Sequence, residues 1–180
     1  MEHKLVIGKY TLESLTNGMY ASPFDLYREY IQNAVDSIDV AIEEKLERDD
    51  YFEIAISLNR EKKTVSIFDN GRGLSREHAV PTLVDIGNSM KRRTQSRGFR
   101  GIGRLAGLGY CEELVFTTSY SGEETRTIIH FNAKLLKELL MTSSDGNISV
   151  HDVMNQIITV EEAEEKRKRH YFEVKMVGVT

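Results

Sequence analysis

Y-R-E-Y-I-Q-N-A-V-D-S, residues 27–37, is the stretch from which the rest of the chain is read. Glu29, Asn33 and Asp36 follow one another at offsets of four and three, so on a helix they project within about 60° of one another and form one polar stripe. Tyr27, Ile31, Ala34 and Ile38 fall on the opposite side of the same wheel and are predicted to be the face packed against a sheet. A carboxylate and a carboxamide one turn apart can serve one metal-phosphate group, the amide oxygen ligating a hard cation while the carboxylate aligns a water. By itself such a stripe is more often a solvated face, and its meaning depends on what surrounds it.

Working outward, Ser22 before Pro23 predicts an N-cap with proline at the first helical position, and the helix is expected to run to about residue 46. A shorter helix is expected over 11–17. Phe52, Ile54, Ile56 and Leu58 alternate with Glu53, Ala55 and Ser57, the period of a half-buried strand. The turn 59–62 leads into a second strand over 64–68, and Ser75 is expected to cap a helix reaching about residue 86. Residues 87–103 are glycine-punctuated, basic and aperiodic, and are expected to be a mobile loop. Beyond it come a short helix over 102–108, a hairpin of 113–119 with 125–131, a helix over 133–140, a loop over 143–147 and a short strand over 157–160. The charged run 161–169 is predicted to be a solvated helix from its Glu162/Lys166 and Glu164/Lys168 spacings, and a last strand carries Phe172, Val174 and Met176.

At 180 residues the chain has the length of one domain with one sizeable core. Its 24 basic and 28 acidic residues give a net charge of -4, so no global charge recruits DNA, and a nucleic-acid role is disfavoured. The single cysteine, Cys111, excludes a disulfide framework and a cysteine zinc site. No run approaches the roughly 18 apolar residues of a membrane span, and a cytoplasmic protein is expected.

Two further motifs follow the helix. In Asp69-Asn70-Gly71-Arg72-Gly73, a carboxylate at the end of a strand followed by two glycines lets a flat ring approach the backbone while the carboxylate accepts from an exocyclic amine, which adenine carries at C6 and guanine does not. In Gly98-Phe99-Arg100-Gly101-Ile102-Gly103, glycines that open a helix expose N–H groups to phosphate oxygens. Lys91, Arg92, Arg93, Arg97, Arg100 and Arg104 crowd the same region, which reads as a solvated basic loop, as a lid over a triphosphate or, less favoured, as a DNA-binding loop.

Taken together, E-x-x-x-N-x-x-D on a helix, D-N-G-R-G after a strand, and S-x-K with G-F-R-G-I-G in a loop resemble the GHKL superfamily, which includes DNA gyrase, the ninety-kilodalton heat-shock chaperones, histidine kinases and mismatch-repair ATPases. The resemblance covers roughly residues 11–118. The stretch N-G-M-Y-A-S-P-F-D-L-Y-R-E-Y-I-Q-N-A-V-D-S looks most like the chaperone branch, D-N-G-R-G-L is closer to gyrase, and G-F-R-G is shared with the mismatch-repair branch.

The resemblance implies the Bergerat fold, an α/β two-layer sandwich whose mixed, largely antiparallel sheet carries helices on one face. It implies that Glu29 is the general base, Asn33 the magnesium ligand, Asp69 the adenine acceptor, and Asp36 a residue that shapes the pocket. Gly71 and Gly73 give the ring room. Gly98, Phe99, Arg100, Gly101, Ile102 and Gly103 bind the phosphates, with Ser89 and Lys91 as lid residues. Histidine kinases usually have no glutamate at the position of Glu29, so its presence favours hydrolysis over phosphotransfer.

The expectation is thus a single magnesium-dependent ATPase domain with a lid at about 87–103, weak in isolation and the N-terminal part of a longer protein, whose nucleotide state governs contacts with a protein client or downstream domain. An ATP-dependent homodimer is left open. The alternatives are a nucleotide-gated interaction module without turnover and a histidine-kinase-type phosphotransfer domain.

Overall fold

The computed structural model describes residues 22–46, 51–84, 103–142 and 150–179. The expected helix over 11–17, the loop over 143–147 and all of the basic loop except Gly103 lie outside these residues.

Helix α1 (Pro23–Glu43) begins as its sequence dictates: the Oγ of Ser22 accepts the Phe24 N–H at 3.3 Å and Pro23 occupies the first turn. Its buried residues are Leu26, Tyr30, Ala34 and Ala41, a stripe rotated by roughly 65° toward Glu29 and Asn33 from the one expected. Of the expected face only Ala34 is buried, while Tyr27 and Ile31 are half-buried against the core edge. The correction matters for the site. A helix packed by its far side would point Glu29, Asn33 and Asp36 at solvent, whereas this rotation brings them to the border between helix and sheet.

Strands β1 (Ile54–Asn59) and β2 (Thr64–Asp69) form the expected hairpin, in which the Oδ1 of Asn59 accepts the Lys62 N–H at 2.9 Å and Lys63 takes a positive φ of 49°. After β2 come α2 (Arg76–Val84), a 3-10 helix (Gly103–Gly109), β3 (Glu113–Ser119), β4 (Thr125–Asn132), α3 (Ala133–Thr142), α4 (Val150–Ile157), β5 (Ile158–Glu164) and β6 (Tyr171–Val177). The six strands form one sheet in the order β1-β2-β6-β3-β4-β5, and every described ladder is antiparallel. Helices cover one face, giving the expected two-layer α/β sandwich. The core between the layers is built on Leu26, Ile67, Leu105, Phe116, Phe131, Leu136 and Met176.

The last strand sits in the middle of the sheet. Its register sets Phe172 opposite Asp69 on one side and Thr118 on the other, so three residues distant in sequence form one row across β2, β6 and β3.

Three other expectations need correction. The run 161–169 is not a helix: residues 161–164 belong to β5, an edge strand paired with β4, and the remainder is a turn before β6. Glutamates are exposed on both faces of an edge strand, so their spacing could not distinguish it from a solvated helix. Ile157 ends α4, a helix absent from the sequence reading although Val153, Met154 and Ile157 are buried at helical spacing. On β1, Ile56 and Leu58 face the helix side as their pairing with Ile67 and Val65 requires, yet they are 59% and 65% exposed, because β1 is an edge and α1 lies chiefly over β2. The short helix expected over 102–108 is present as a seven-residue 3-10 helix, Gly103–Gly109.

Candidate functional site

A cavity of about 390 Å³ lies between α1 and the sheet. From α1 it receives Glu29, Asn33 and Asp36 together with Ser37; from the end of β2 and the turn after it, Asp69, Arg72 and Gly73; and from the 3-10 helix, Arg104. Ile67, Leu74, Phe116, Phe172 and Val174 supply apolar walls. Residues as far apart in sequence as Glu29 and Val174 therefore share one concavity.

At one end, Asp69 is 3% exposed. Its Oδ1 accepts the Gly71 N–H at 3.0 Å, and Ser37 on α1 hydrogen-bonds to it. Burial pushes the carboxyl up to about 6 against the opposing pull of these two donors. The turn is clamped from every side. Asn70 accepts the Glu53 N–H at 2.7 Å and donates to the Tyr51 carbonyl at 2.8 Å, which ties the motif to the approach to β1. The Arg72 N–H donates to the Ser37 carbonyl at 3.0 Å, and buried His170 donates from Nδ1 to the Gly71 carbonyl. Thr118 accepts the Leu74 N–H at 2.8 Å and donates to the Tyr171 carbonyl at 3.0 Å, fixing the exit of the turn to β3 and β6.

The two glycines explain how the turn comes so close. A Cβ on Gly71 would stand 2.5 Å from the Ser37 Oγ and 2.6 Å from the Ile38 nitrogen, so only glycine lets the turn rest on α1. Gly73 has φ +66°, and a Cβ there would overlap the Ser119 carbonyl oxygen and lie 2.8 Å from that of Tyr171. Its missing side chain makes room for the sheet backbone as well as leaving the cavity wall thin.

At the other end stand Glu29, half-buried, and Asn33, exposed, one turn apart on α1. Asp36 is exposed, accepting from Gln32 Nε2 at 2.8 Å. Tyr30 anchors the opposite wall: its hydroxyl donates to the Arg104 carbonyl at 2.8 Å and accepts the Gly107 N–H at 3.2 Å. The Arg104 guanidinium is pulled below its ordinary value by burial, an effect opposed by the charge of Glu29. Since Ser37 lies eight residues after Glu29, the two ends stand about 12 Å apart along α1.

The cavity thus brings together Glu29, Asn33, Asp36, Asp69 and Gly73, with Gly71 directly beneath it. Gly103 is buried at the start of the 3-10 helix next to Arg104. Ser89, Lys91, Gly98, Phe99, Arg100, Gly101 and Ile102 lie outside the described residues. The contributions of Ser37, Asn70, Tyr30, Thr118 and His170 were missed by sequence reasoning. Two buried-polar signals pointed to them: an asparagine directly after a strand-ending aspartate, and the Thr117-Thr118-Ser119 end of an apolar strand.

A nucleotide fits this donor set: a desolvated acceptor at a close-approach turn, apolar walls suited to a flat ring, and polar groups about two helical turns away. Among the described residues, no group of three or more His, Cys, Asp or Glu side chains could hold a metal ion. Magnesium needs no such cluster, since it commonly takes one or two protein oxygens and completes its shell with phosphates and water. No helix among the described residues is long and apolar enough to cross a membrane.

Comparison with known proteins agrees with this geometry. Residues 23–166 match the family model described as histidine kinase-, DNA gyrase B-, and HSP90-like ATPase. Among curated proteins, the chain is similar to chaperone protein HtpG of Acinetobacter baylyi, with 36% identity over 43% of this chain and 13% of that protein. It is also similar to chaperone protein HtpG of Halalkalibacterium halodurans, with 29% identity over 65% of this chain and 21% of the relative. The match to chaperone protein HtpG of Buchnera aphidicola subsp. Schizaphis graminum is 26% identical over 81% of this chain and 25% of the relative. The chain spans a quarter or less of the length of each of these relatives.

Proposed function

The chain belongs to the family of histidine kinase-, DNA gyrase B- and HSP90-like ATPases, and from that premise we propose that its cavity binds magnesium ATP and hydrolyses it slowly to ADP and phosphate. The observation that carries this reading is the arrangement of one cavity with buried Asp69 at one end and Glu29 and Asn33 at the other.

Asp69 accepts from the adenine 6-amine, and the turn around Gly71 and Gly73 holds the ring edge against backbone. Asn33 would hold the magnesium ion through its amide oxygen, with Asp36 shaping the wall beside it. Bound there, magnesium neutralises phosphate charge. Glu29 aligns a water whose oxygen attacks the γ-phosphorus. The water's proton passes to the carboxylate as the bond from γ-phosphorus to the bridging oxygen breaks, and ADP leaves with that oxygen. Gly98, Gly101 and Gly103 contribute backbone N–H groups to the phosphates, and residues 87–103, with Ser89, Lys91, Phe99, Arg100 and Ile102, close as a lid.

The resemblance to chaperone proteins supports a chaperone-like coupling in which nucleotide state alters contacts with a client or a downstream domain. In this reading the chain is one ATP-binding domain. The presence of Glu29, the carboxylate that a hydrolase needs and a phosphotransfer site does not, favours hydrolysis over transfer to a histidine.

Calorimetry with ATP, ADP and GTP, with and without magnesium, tests the reading. ATP and ADP are expected to bind, magnesium to strengthen ATP, and GTP to fail, since guanine offers an oxygen where Asp69 needs a donor. Equal binding of GTP, or no binding of ATP, would overturn it.

A further inference from the structure

Two arginines line the cavity among the described residues, and they stand at different ends. Arg72 belongs to the end near the α1 C-terminus, where its Nε donates to Glu44 at 2.9 Å and its guanidinium lies 5.6 Å from the centre of the Tyr120 ring. Arg104 belongs to the Glu29 end and has no role in the reaction described above. Its backbone is fixed there by the Tyr30 hydroxyl, which holds the Arg104 carbonyl at 2.8 Å and the Gly107 N–H at 3.2 Å. Tyr30 is also the residue after Glu29, so a single side chain locks the 3-10 helix to the part of α1 that carries the carboxylate. The Arg104 side chain is half-buried and lies within electrostatic reach of Glu29.

We propose that Arg104 donates to the terminal phosphate of the bound triphosphate, supplying from within this chain a cation for the phosphoryl group being transferred. The inference rests on the nucleotide reading above and adds to it the group that senses the third phosphate. A guanidinium matches phosphate oxygens through its planar fork, and its bonds gain strength where water is excluded. It carries no removable proton at ordinary pH, so Arg104 acts by charge and hydrogen bonding alone, while the water's proton goes to Glu29. As the new oxygen–phosphorus bond forms and the bond to the bridging oxygen breaks, charge gathers on the equatorial oxygens, where such a cation is most effective. Among the described residues, Glu29 is an opposite charge within electrostatic reach of Arg104. ADP lacks the third phosphate and offers Arg104 no such acceptor, so Arg104 separates ATP from ADP.

The test compares dissociation constants of ATP, ADP and adenosine, at one magnesium concentration, for the wild-type chain and for Arg104→Met. The expected result is about 10- to 100-fold weaker ATP, ADP changed by less than about threefold, and unchanged adenosine. An equal loss for ATP and ADP, or no loss for either, would overturn the inference. Should circular dichroism show Arg104→Met to be unfolded, Arg104→Lys decides instead: it keeps the charge without the fork, and a fall in the ATP-to-ADP preference of about threefold or more supports the role, while an unchanged preference removes it. Wild-type protein that binds none of the three ligands ends both this inference and the nucleotide reading. Wild-type protein that binds ATP, with an unchanged preference in the variant, ends only the former.

Discussion

At the Asp69 end of the cavity almost every polar group is engaged by the fold itself: Ser37, Gly71, Asn70, Thr118 and His170 join one turn to α1, the approach to β1, β3 and β6 through buried and half-buried hydrogen bonds. At the Glu29 end, Glu29 and Asn33 stand on a single helix face with Asn33 exposed, and the described hydrogen bonds that tie this face to the 3-10 helix carrying Arg104 run through Tyr30. The first end is built before any ligand arrives, and the second is arranged by one helix and one anchor. Recognition of a base needs a rigid, desolvated acceptor, because an amine must displace water from it at no further conformational expense. Phosphate chemistry needs exposed groups that an ion and a water can reach. Substitutions should therefore divide: those at the Asp69 end should act on folding and on affinity for the base, and those at the Glu29 end on turnover and on affinity for the phosphates.

The sharpest division is expected at Glu29. Glu29→Ala should lower steady-state ATP turnover by roughly 10²- to 10⁴-fold while leaving ATP affinity within a few-fold, since the carboxylate is needed only once water attacks. Equal turnover in both proteins would reduce the domain to a nucleotide-gated binding module and remove the chemical half of the comparison.

Gly73→Ala should produce the opposite pattern. An alanine at φ +66° costs about 1–2 kcal/mol in backbone conformation, and its Cβ overlaps the Ser119 carbonyl, an overpacking that adds about 1–3 kcal/mol. Thermal denaturation should show a midpoint lower by roughly 4–20 °C, at about 2–4 °C per kcal/mol for a chain of this size. An unchanged midpoint would mean that the turn relaxes freely and that this end is not rigid.

Asp69→Asn separates affinity from stability within the rigid end. Losing a charge-assisted acceptor worth about 1.5–3 kcal/mol should weaken ATP roughly 10- to 100-fold. Stability should not fall with it. The Asp69 carboxyl titrates at about 6 when folded against an ordinary 3.8, so between those pH values the folded chain holds more protons than the unfolded one and stability declines as pH rises. Above about pH 6 the ionised group costs up to about 3 kcal/mol, which asparagine relieves. The wild type should accordingly lose adenosine affinity as pH drops below about 6, by up to about tenfold per unit, and the Asn variant should lack that slope. A flat profile in the wild type would show that the ring does not meet this carboxylate.

How far these ends could be read from sequence follows from the same contrast. Glu29, Asn33 and Asp36 are local: helical spacing puts them on one stripe, and the Ser22-Pro23 start was legible from the capping rule. The rotation of that stripe toward the sheet was not, because it depends on how α1 packs over β2 and on Tyr30 reaching a 3-10 helix far along the chain. Asp69 and its glycines were legible as a motif, but not the partners that fix them. β6 inserts between β2 and β3, and period-2 alternation in Phe172, Val174 and Met176 carries no information about which strands will flank it. Thus Thr118 and His170 came into view only with the topology. Glu161 to Glu164 were misread because charge spacing describes exposure, and an exposed edge strand satisfies it as well as a helix does.

Tyr30 gives the smallest and most discriminating test, because it belongs to the core by burial and to the Glu29 end by contact. Tyr30→Phe keeps the buried ring in the core that also holds Leu26 and removes only the hydroxyl between the Arg104 carbonyl and the Gly107 N–H. Deleting it should lower stability by about 1 kcal/mol, the net worth of an ordinary hydrogen bond with some desolvation left uncompensated. If the 3-10 helix is held in register with α1 by this one group, turnover should fall several-fold beyond what that loss of stability explains, with adenosine affinity unchanged. Should adenosine affinity fall in step with turnover, the two ends would be mechanically continuous, and the separation of a rigid base site from a helix-borne reaction site would have to be given up.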